Sequence, residues 1–185
     1  GSIPLVDSPV GGNAAGGSGG GLFNDSDLVS FVVQHSTVAF NSAEEESGGR
    51  RGIAPLIENS LLPENGGQDG LPDDCARADL VLGGYNLFGT LGPACVTVGD
   101  ETGNVVGVDP RLGPLAPNGG QTRTHALLPD SPARDAGNPI CTEATDQRGV
   151  ARPAFGRCDI GAYELACGDG IVGPGEECDD GNLAD

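Results

Sequence analysis

Proline spacing limits the possible fold of this chain more than any other feature. Seven of its 14 prolines lie between Val108 and Glu164, in a chain of 185 residues. A helix interior is excluded, because proline lacks an N–H and clashes with the preceding turn. A central strand is excluded as well, because proline cannot donate to the ladder. We therefore expect turns and short edge strands over residues 109–164, forming a loop-rich cap that closes the end of a stack of β-rungs.

Asparagine recurs at a matching place in three segments upstream of this stretch. Asn13, Asn41 and Asn65 are 28 and 24 residues apart, and glycines lie close by in each segment. Periods of about 20–50 residues indicate solenoids or arrays. Apolar residues alternate at positions 29, 31 and 33, as they do in a half-buried strand. Each asparagine either stacks on its neighbours along the solenoid or only occupies a tight turn. We interpret residues 1–108 as the last rungs of such a stack.

Three motifs carry a family resemblance. They are GVDPRLGPLAPNGGQTRTHALLPDSPARDAGNP at 107–139, TDQRG at 145–149 and CDIGAYE at 158–164. In this order they resemble the C-terminal signature of the choice-of-anchor Q proteins, secreted bacterial proteins similar in architecture to pectate-lyase-like solenoids. The resemblance extends over roughly residues 12–164. It implies an all-β fold, the end of a right-handed parallel β-helix with a loop-rich cap, and an extracellular or cell-surface location. It carries over no catalytic or cofactor-binding residue.

The charge balance narrows the range of partners. The formal net charge is −18, and all nine positive side chains are arginines. This argues against a nucleic-acid surface, which needs basic residues to release counterions, and against attachment to anionic lipid. No stretch approaches the roughly 20 apolar residues of a membrane helix, so we expect no membrane insertion. No signal peptide is visible at the start, and we interpret the chain as part of a longer exported protein. Cell-surface glycans or proteins are the expected partners.

The six cysteines are expected to form disulfides. Six cysteines allow fifteen pairings, and their order and the turns between them favour three local ones. The expected pairs are Cys75–Cys95, Cys141–Cys158 and Cys167–Cys178. A zinc site is the alternative, but the CxxC and CxxH pairs of zinc fingers are missing. Disulfides imply an oxidising compartment.

The cap contains an arginine, Arg148, and two carboxylates, Asp159 and Glu164, that could form an ion pair. Within the cap, we expect Arg148 to form an ion pair with Asp159 or Glu164, since arginine pairs with carboxylates in a planar geometry. A catalytic carboxylate–arginine site is the alternative.

Residues 165–185 resemble the start of a myxobacterial-type cysteine-rich repeat, here truncated. That repeat holds oxygen ligands suited to calcium, although a plain acidic turn explains them too. These residues are Asp169, Glu177, Asp179, Asp180 and Asn182.

No familiar catalytic motif accompanies these features. The chain has no GxSxG elbow, no HExxH and no Walker-type loop, and His35 and His125 are isolated from other metal ligands in sequence. We therefore predict a non-catalytic, adhesin-like extracellular module acting in adhesion, display or structure, with no cofactor. The alternative is a polysaccharide-active β-helix enzyme, a lyase or hydrolase whose carboxylates project from neighbouring rungs or whose site lies upstream of this fragment. A calcium-dependent spacer is a third hypothesis. The enzyme reading draws on Asp25, Asp27, Asp73, Asp74 and Asp79, and on Arg50, Arg51 and Arg77.

Overall fold

A computed structural model describes most of the chain. The described residues are 1–17, 20–23, 28–44, 54–66, 73–75, 79–93, 95–154 and 156–166. Within these ranges the regular structure is entirely β, and no helix is long and apolar enough to cross a bilayer. The predicted all-β class is therefore confirmed.

Fourteen short strands build this part of the chain. In chain order they are β1 Ser2–Val6, β2 Pro9–Gly11, β3 Ala14–Ala15, β4 Ser30–Gln34, β5 Thr37–Ala39, β6 Ser42–Ala43, β7 Leu56–Glu58, β8 Leu61–Leu62, β9 Asp79–Gly83, β10 Leu87–Phe88, β11 Val96–Asp100, β12 Val105–Val106, β13 Leu112–Ala116 and β14 Thr124–Leu127. β13 and β14 form an antiparallel hairpin, and every other strand pairing is parallel.

Two five-stranded parallel sheets dominate the fold. The first sheet has the order β1-β4-β7-β9-β11, and the second has the order β12-β10-β8-β5-β2. Each repeat along the chain therefore adds one strand to the first sheet and then one to the second. Strand partners are 28 residues apart between the first two repeats, as in Ser2↔Ser30 and Pro9↔Thr37. This arrangement is compatible with the predicted parallel β-helix.

The main core lies between the two sheets. Alternate residues of a strand point to opposite faces, so one row of each sheet faces inward. The inward row of the first sheet includes Val33, Ile57 and Leu82, which are at most 4% exposed. Facing them from the second sheet are Val38 and Phe88, in the same apolar cluster. Each repeat buries its apolar residues against its neighbours, which explains how a chain with 4% aromatic residues builds a core.

Of the two interpretations of the recurring asparagines, stacking is the one that the hydrogen bonds show. Asn13 donates from Nδ2 to Oδ1 of Asn41 at 2.9 Å, and Asn41 donates in the same way to Asn65 at 2.9 Å. Asn65 in turn donates to Oδ1 of Asp74 at 3.2 Å. The backbone N–H of each asparagine donates to the same oxygen as its side chain. This ladder satisfies the polar groups of successive corners and keeps the repeats in register.

A second ladder runs parallel to the first and was not predicted. The backbone N–H of Ser8 donates to the hydroxyl of Ser36, and that of Ser36 donates to Ser60, both at 3.2 Å. The series continues through the side-chain oxygens of Asn86 and Asn104, at 3.0 and 2.8 Å. The serines have the same 28- and 24-residue spacing as the asparagines, so the signal was present in the sequence.

Two predicted disulfides are present. Cys75 is bonded to Cys95 and Cys141 to Cys158. The first closes a loop within the stack, and the second closes a loop in residues 109–166, the C-terminal segment. The third predicted pair, Cys167 with Cys178, lies outside the described residues.

The C-terminal segment lies on a face of the stack, which differs from the predicted end cap. Leu127, Ile160 and Tyr163 pack with Leu61 and Leu87, which point outward from the second sheet. Contacts reach from the first repeat, where the Gly11 Cα lies beside the His125 ring, to the last, where Val105 packs on the same cluster. The reason is area, because the outer face of five strands buries more apolar surface than the end of one rung.

Candidate functional site

A column of three corner residues forms the stack side of the candidate site. Asp7, His35 and Asn59 occupy equivalent corners between the first and second sheets, with φ of 44°, 46° and 48°. Aspartate, histidine and asparagine tolerate this left-handed conformation better than most side chains. Each is followed by a serine of the second ladder, so the ladder holds the three corners in line.

His35 contacts both the stack and the C-terminal segment. Its Nδ1 lies 2.8 Å from Nδ2 of Asn59, and its Nε2 lies 2.8 Å from the hydroxyl oxygen of Thr142. Burial, helped by the charge of Arg152, lowers the pKa of His35 to about 4. The imidazole is therefore neutral at physiological pH and carries one proton.

The surroundings of Asn59 decide which nitrogen carries that proton. Asn59 Oδ1 accepts from the backbone N–H of Asn138 at 2.8 Å, and its Nδ2 donates to the carbonyl of Asp159 at 3.2 Å. The amide is thus oriented with Nδ2 toward the imidazole, so His35 Nδ1 accepts. The proton sits on Nε2 and is donated to Thr142.

This tautomer has a chemical consequence. Thr142, His35 and Asn59 lie in the order nucleophile, base and orienting group that defines catalytic triads. A base must accept the proton of the hydroxyl, whereas Nε2 of His35 donates to it. The arrangement therefore attaches the C-terminal segment to the stack, and in this tautomer His35 does not act as a base toward the threonine hydroxyl.

Two buried carboxylates serve as acceptors for the C-terminal segment's own backbone. Glu164 Oε1 accepts from the N–H of Ala154, and its Oε2 accepts from the N–H of Asp159, both at 2.9 Å. Asp159 accepts from the N–H groups of Asp135 and Leu165 at 2.7 and 2.6 Å. Burial and the charge of Glu164 raise the pKa of Asp159 to about 7, and burial also raises the pKa of Glu164.

Arg152 joins this carboxylate pair to the stack. Its guanidinium is fully buried, lies 3.0 Å from Glu164 Oε2 and donates to the carbonyls of Asp159 and Gly161 at 3.2 and 2.7 Å. On its other side, Nη2 lies 3.5 Å from Oδ1 of Asp7 in the first repeat. Burial raises the pKa of Asp7 to about 6, against the opposing charge of Arg152.

Arg148 pairs with Asp146, a residue that was not among its expected partners. Its Nε lies 2.9 Å from Asp146 Oδ2, and its guanidinium lies 3.5 Å above the ring of Tyr163. It reaches Glu164 through the backbone carbonyl, while the Glu164 carboxylate pairs with Arg152 and Asp159 accepts from backbone N–H groups. Asp146 is favoured because it is two residues away in the same turn, where it also accepts the Arg148 N–H. Arg152 was missed, since only contacts distant in sequence single it out.

The remaining candidates are dispersed. Asp73 accepts from the N–H of Gly92 at 2.9 Å, and Asp74 ends the asparagine ladder. Asp79 lies in β9 of the first sheet. His125 donates from Nδ1 to the carbonyl of Gly113 at 2.9 Å. No three metal-ligating side chains converge within the described part of the chain. Outside that part lie Asp25, Asp27, Arg50, Arg51 and Arg77, and the calcium candidates Asp169, Glu177, Asp179, Asp180 and Asn182.

Comparison of the chain with protein-family models, curated proteins and solved structures gave no match. The resemblances to choice-of-anchor Q proteins and to myxobacterial repeats therefore stay predictions, made on the motifs alone.

Proposed function

We propose that this chain is a non-catalytic extracellular or cell-surface module, the end of a right-handed parallel β-helix that acts in adhesion, display or structure. Successive repeats that alternate between two parallel sheets support the β-helix. The right hand is supported by a general rule, since about 98% of parallel crossover connections have it. Two cysteine pairs at bonding distance support an oxidising, extracellular setting.

The observation that carries the non-catalytic part is the hydrogen bonding of the buried polar groups. Among the described residues, the most buried side chains that could serve as an acid or a base are His35, Asp159 and Glu164, all of them at most 2% exposed. The imidazole donates to Thr142, and both carboxylates accept backbone N–H groups of the C-terminal segment. Buried polar groups with these partners stabilise one arrangement of the chain.

An activity screen tests this proposal against the enzyme alternative. The full chain is incubated with a panel of acidic and neutral polysaccharides, with and without calcium, while new reducing ends and unsaturated products are measured. We expect no turnover, and saturable binding of the labelled protein to glycan or protein arrays. Turnover that is lost in His35→Asn or Thr142→Val would overturn the proposal. Turnover that both variants retain at full rate would also overturn the proposal, provided that a mock purification shows no activity. The catalytic residues would then be sought among the carboxylates of the stack.

A further inference from the structure

The outer face of the first sheet carries an apolar row that the described part of the C-terminal segment does not cover. One residue from each strand contributes, and the strand pairings place all five in register. The middle three are half-buried, and Val98 at one end is 50% exposed. With strands about 4.8 Å apart, the row extends for about 19 Å across the sheet. The row consists of Pro4, Val32, Leu56, Val81 and Val98.

Acidic side chains lie on both sides of this row. Two positions further along the strands, the sheet carries Val6, Gln34, Glu58, Gly83 and Asp100, and two positions before the row β9 carries Asp79. Gln34 donates to Glu58 at 3.0 Å, and Asp100 accepts from the N–H of Thr102 at 2.9 Å. Neither carboxylate has an ion-pair partner among the described residues. The face therefore presents an aliphatic row beside unneutralised negative charge, on a chain of net charge −18.

A second copy of the chain does not suit this face. The face is about 19 Å long and five residues wide, or about 17 Å, so it covers only about 320 Å². Stable protein interfaces bury about 800 Å² on each partner. Two such faces would also bring Glu58 and Asp100 toward their own copies, and like charges in an interface oppose association. The occupant should instead carry positive charge.

The spacing of the row matches an α-helix that lies along it. A helix presents one apolar side chain per 5.4 Å turn, close to the strand spacing of about 4.8 Å. Over the four intervals of the row the mismatch accumulates to only about 2.4 Å. A helix is about 10 Å wide, so its flanking residues lie above the acidic positions at about 6.6 Å from the row.

We propose that the outer face of the first sheet binds a basic amphipathic helix of a partner protein. Its apolar residues pack along the row, and its arginine or lysine residues pair with Glu58 and Asp100. This proposal rests on the adhesion or display role proposed above and names the class of partner for it. Helices that place an apolar stripe against a complementary surface are a recurring mode of recognition.

The test uses the full chain and three synthetic helical peptides of about 18 residues, or about five turns. One has a leucine stripe flanked by arginines, one replaces the arginines with glutamates, and one scrambles the first so that no stripe forms. Binding is measured by fluorescence anisotropy over a series of salt concentrations. We expect the first peptide to bind at least about tenfold more tightly than the scrambled peptide, a difference of about one decade in Kd.

Variants of the chain separate this face from general attraction to an acidic protein. Leu56→Ser with Val81→Ser should weaken binding about tenfold, whereas Ile140→Ser, at an apolar position 77% exposed in the C-terminal segment, should not. Glu58→Gln with Asp100→Asn should weaken binding and flatten its salt dependence. Glu44→Gln with Glu64→Gln removes the same charge from exposed positions after β6 and β8 and should have little effect.

Equal binding of the stripe and scrambled peptides would overturn the proposal, as would equal losses in the two charge-matched double variants. Circular dichroism and thermal unfolding of each variant show that the folded state is retained. Failure of this test leaves the non-catalytic role intact, because that role is tested by turnover. Turnover in the polysaccharide screen would instead contradict the non-catalytic role, and peptide binding could still be measured.

Discussion

The two large sheets have similar inner faces and different outer faces. On the second sheet, Thr37, Leu61 and Leu87 point outward in register and are at most 2% exposed, because the C-terminal segment packs over them. On the first sheet, the equivalent row through Val32, Leu56 and Val81 is only half-buried. An apolar outward row alone therefore does not identify a buried face. The two faces differ in what packs on them, since the C-terminal segment of the same chain covers the second sheet.

Removing Arg152 should have the largest effect on this difference. Arg152→Met leaves the buried carboxylate of Glu164 and the half-buried carboxylate of Asp7 without their cation, which should lower the free energy of unfolding by about 3–5 kcal/mol. The matched change Arg111→Met breaks an ion pair whose side chains are 52% and 62% exposed, and it should cost no more than about 1 kcal/mol. Denaturant unfolding of both variants checks the contrast. Similar costs would mean that Arg152 does not attach the C-terminal segment to the stack.

Two leucines of one repeat compare the faces directly. Leu61→Ala opens a cavity beneath the C-terminal segment and should cost about 2–5 kcal/mol. Leu56→Ala makes the same change on the outer face of the first sheet, where the side chain is only half-buried, and should cost about 1 kcal/mol, a typical value for a point mutation. Chemical unfolding midpoints at constant m-value give both numbers. If Leu56→Ala proves as costly as Leu61→Ala, the first sheet is also covered in solution.

Two amides extend the comparison to polar groups. Asn41→Ala removes a ladder rung, the acceptor of the Asn13 N–H and a donor to the Val10 carbonyl, which should cost about 1–3 kcal/mol. Gln34→Ala removes one hydrogen bond on the outer face of the first sheet and should stay within about 0.5 kcal/mol. Thermal unfolding of the two variants measures the difference. If the asparagines only occupy turns and the ladder does not stabilise the fold, the two variants should have similar Tm values.

The pH dependence of stability should be the most gradual effect, because it is spread over several pH units. Folding raises the carboxyl pKa values of Asp7 and Asp74 to about 6 and that of Asp159 to about 7, from 3.8. Their contribution is fully present below about pH 4 and is lost as the pH rises through 6 to 7. His35 acts in the opposite direction, since its pKa falls from 6.5 to about 4 and its contribution is lost as the pH falls between those values. The pKa of the Glu164 carboxyl is raised as well, and these four carboxyls outweigh one imidazole, so Tm should decline from pH 5 to pH 8.

Asp7→Asn isolates one part of that decline. Asparagine keeps the left-handed corner but does not titrate, so the fall in stability should shrink by about 1 kcal/mol, allowing for solvent screening. Glu44→Gln, at an exposed position, is the matched control and should leave the profile unchanged. An Asp7→Asn profile identical to that of the unmodified chain would show that this carboxyl keeps an ordinary pKa.

Local patterns were sufficient for the repeats and for the nearby pairings. Asn13, Asn41 and Asn65 identify the repeat because strand stacking needs one equivalent corner per rung, and that requirement is visible as a period. Cys75–Cys95 and Cys141–Cys158 could be predicted because short loops bring their ends together. The serine ladder had the same period and was missed only because serine is common in turns of every kind.

The candidate site could not be predicted in the same way. His35 meets Thr142 across 107 positions of sequence, and Asn59 meets the Asp159 carbonyl across 100. No spacing rule connects residues that far apart. Arg148 and Arg152 are equally plausible partners for Glu164 from sequence. Asp146 settles the choice, because it binds Arg148 locally and leaves Arg152 to the Glu164 carboxylate.

By itself, the sequence determined an all-β chain of stacked repeats, because its periods, prolines and alternating apolar residues exclude the other classes. The tertiary structure alone decided where residues 109–166 lie, which arginine is buried between two carboxylates, and which sheet keeps an open face. The physical reason is the range of the interactions. Strand periodicity is a property of neighbouring residues, whereas covering one face depends on the apolar area and charge that distant segments present to each other.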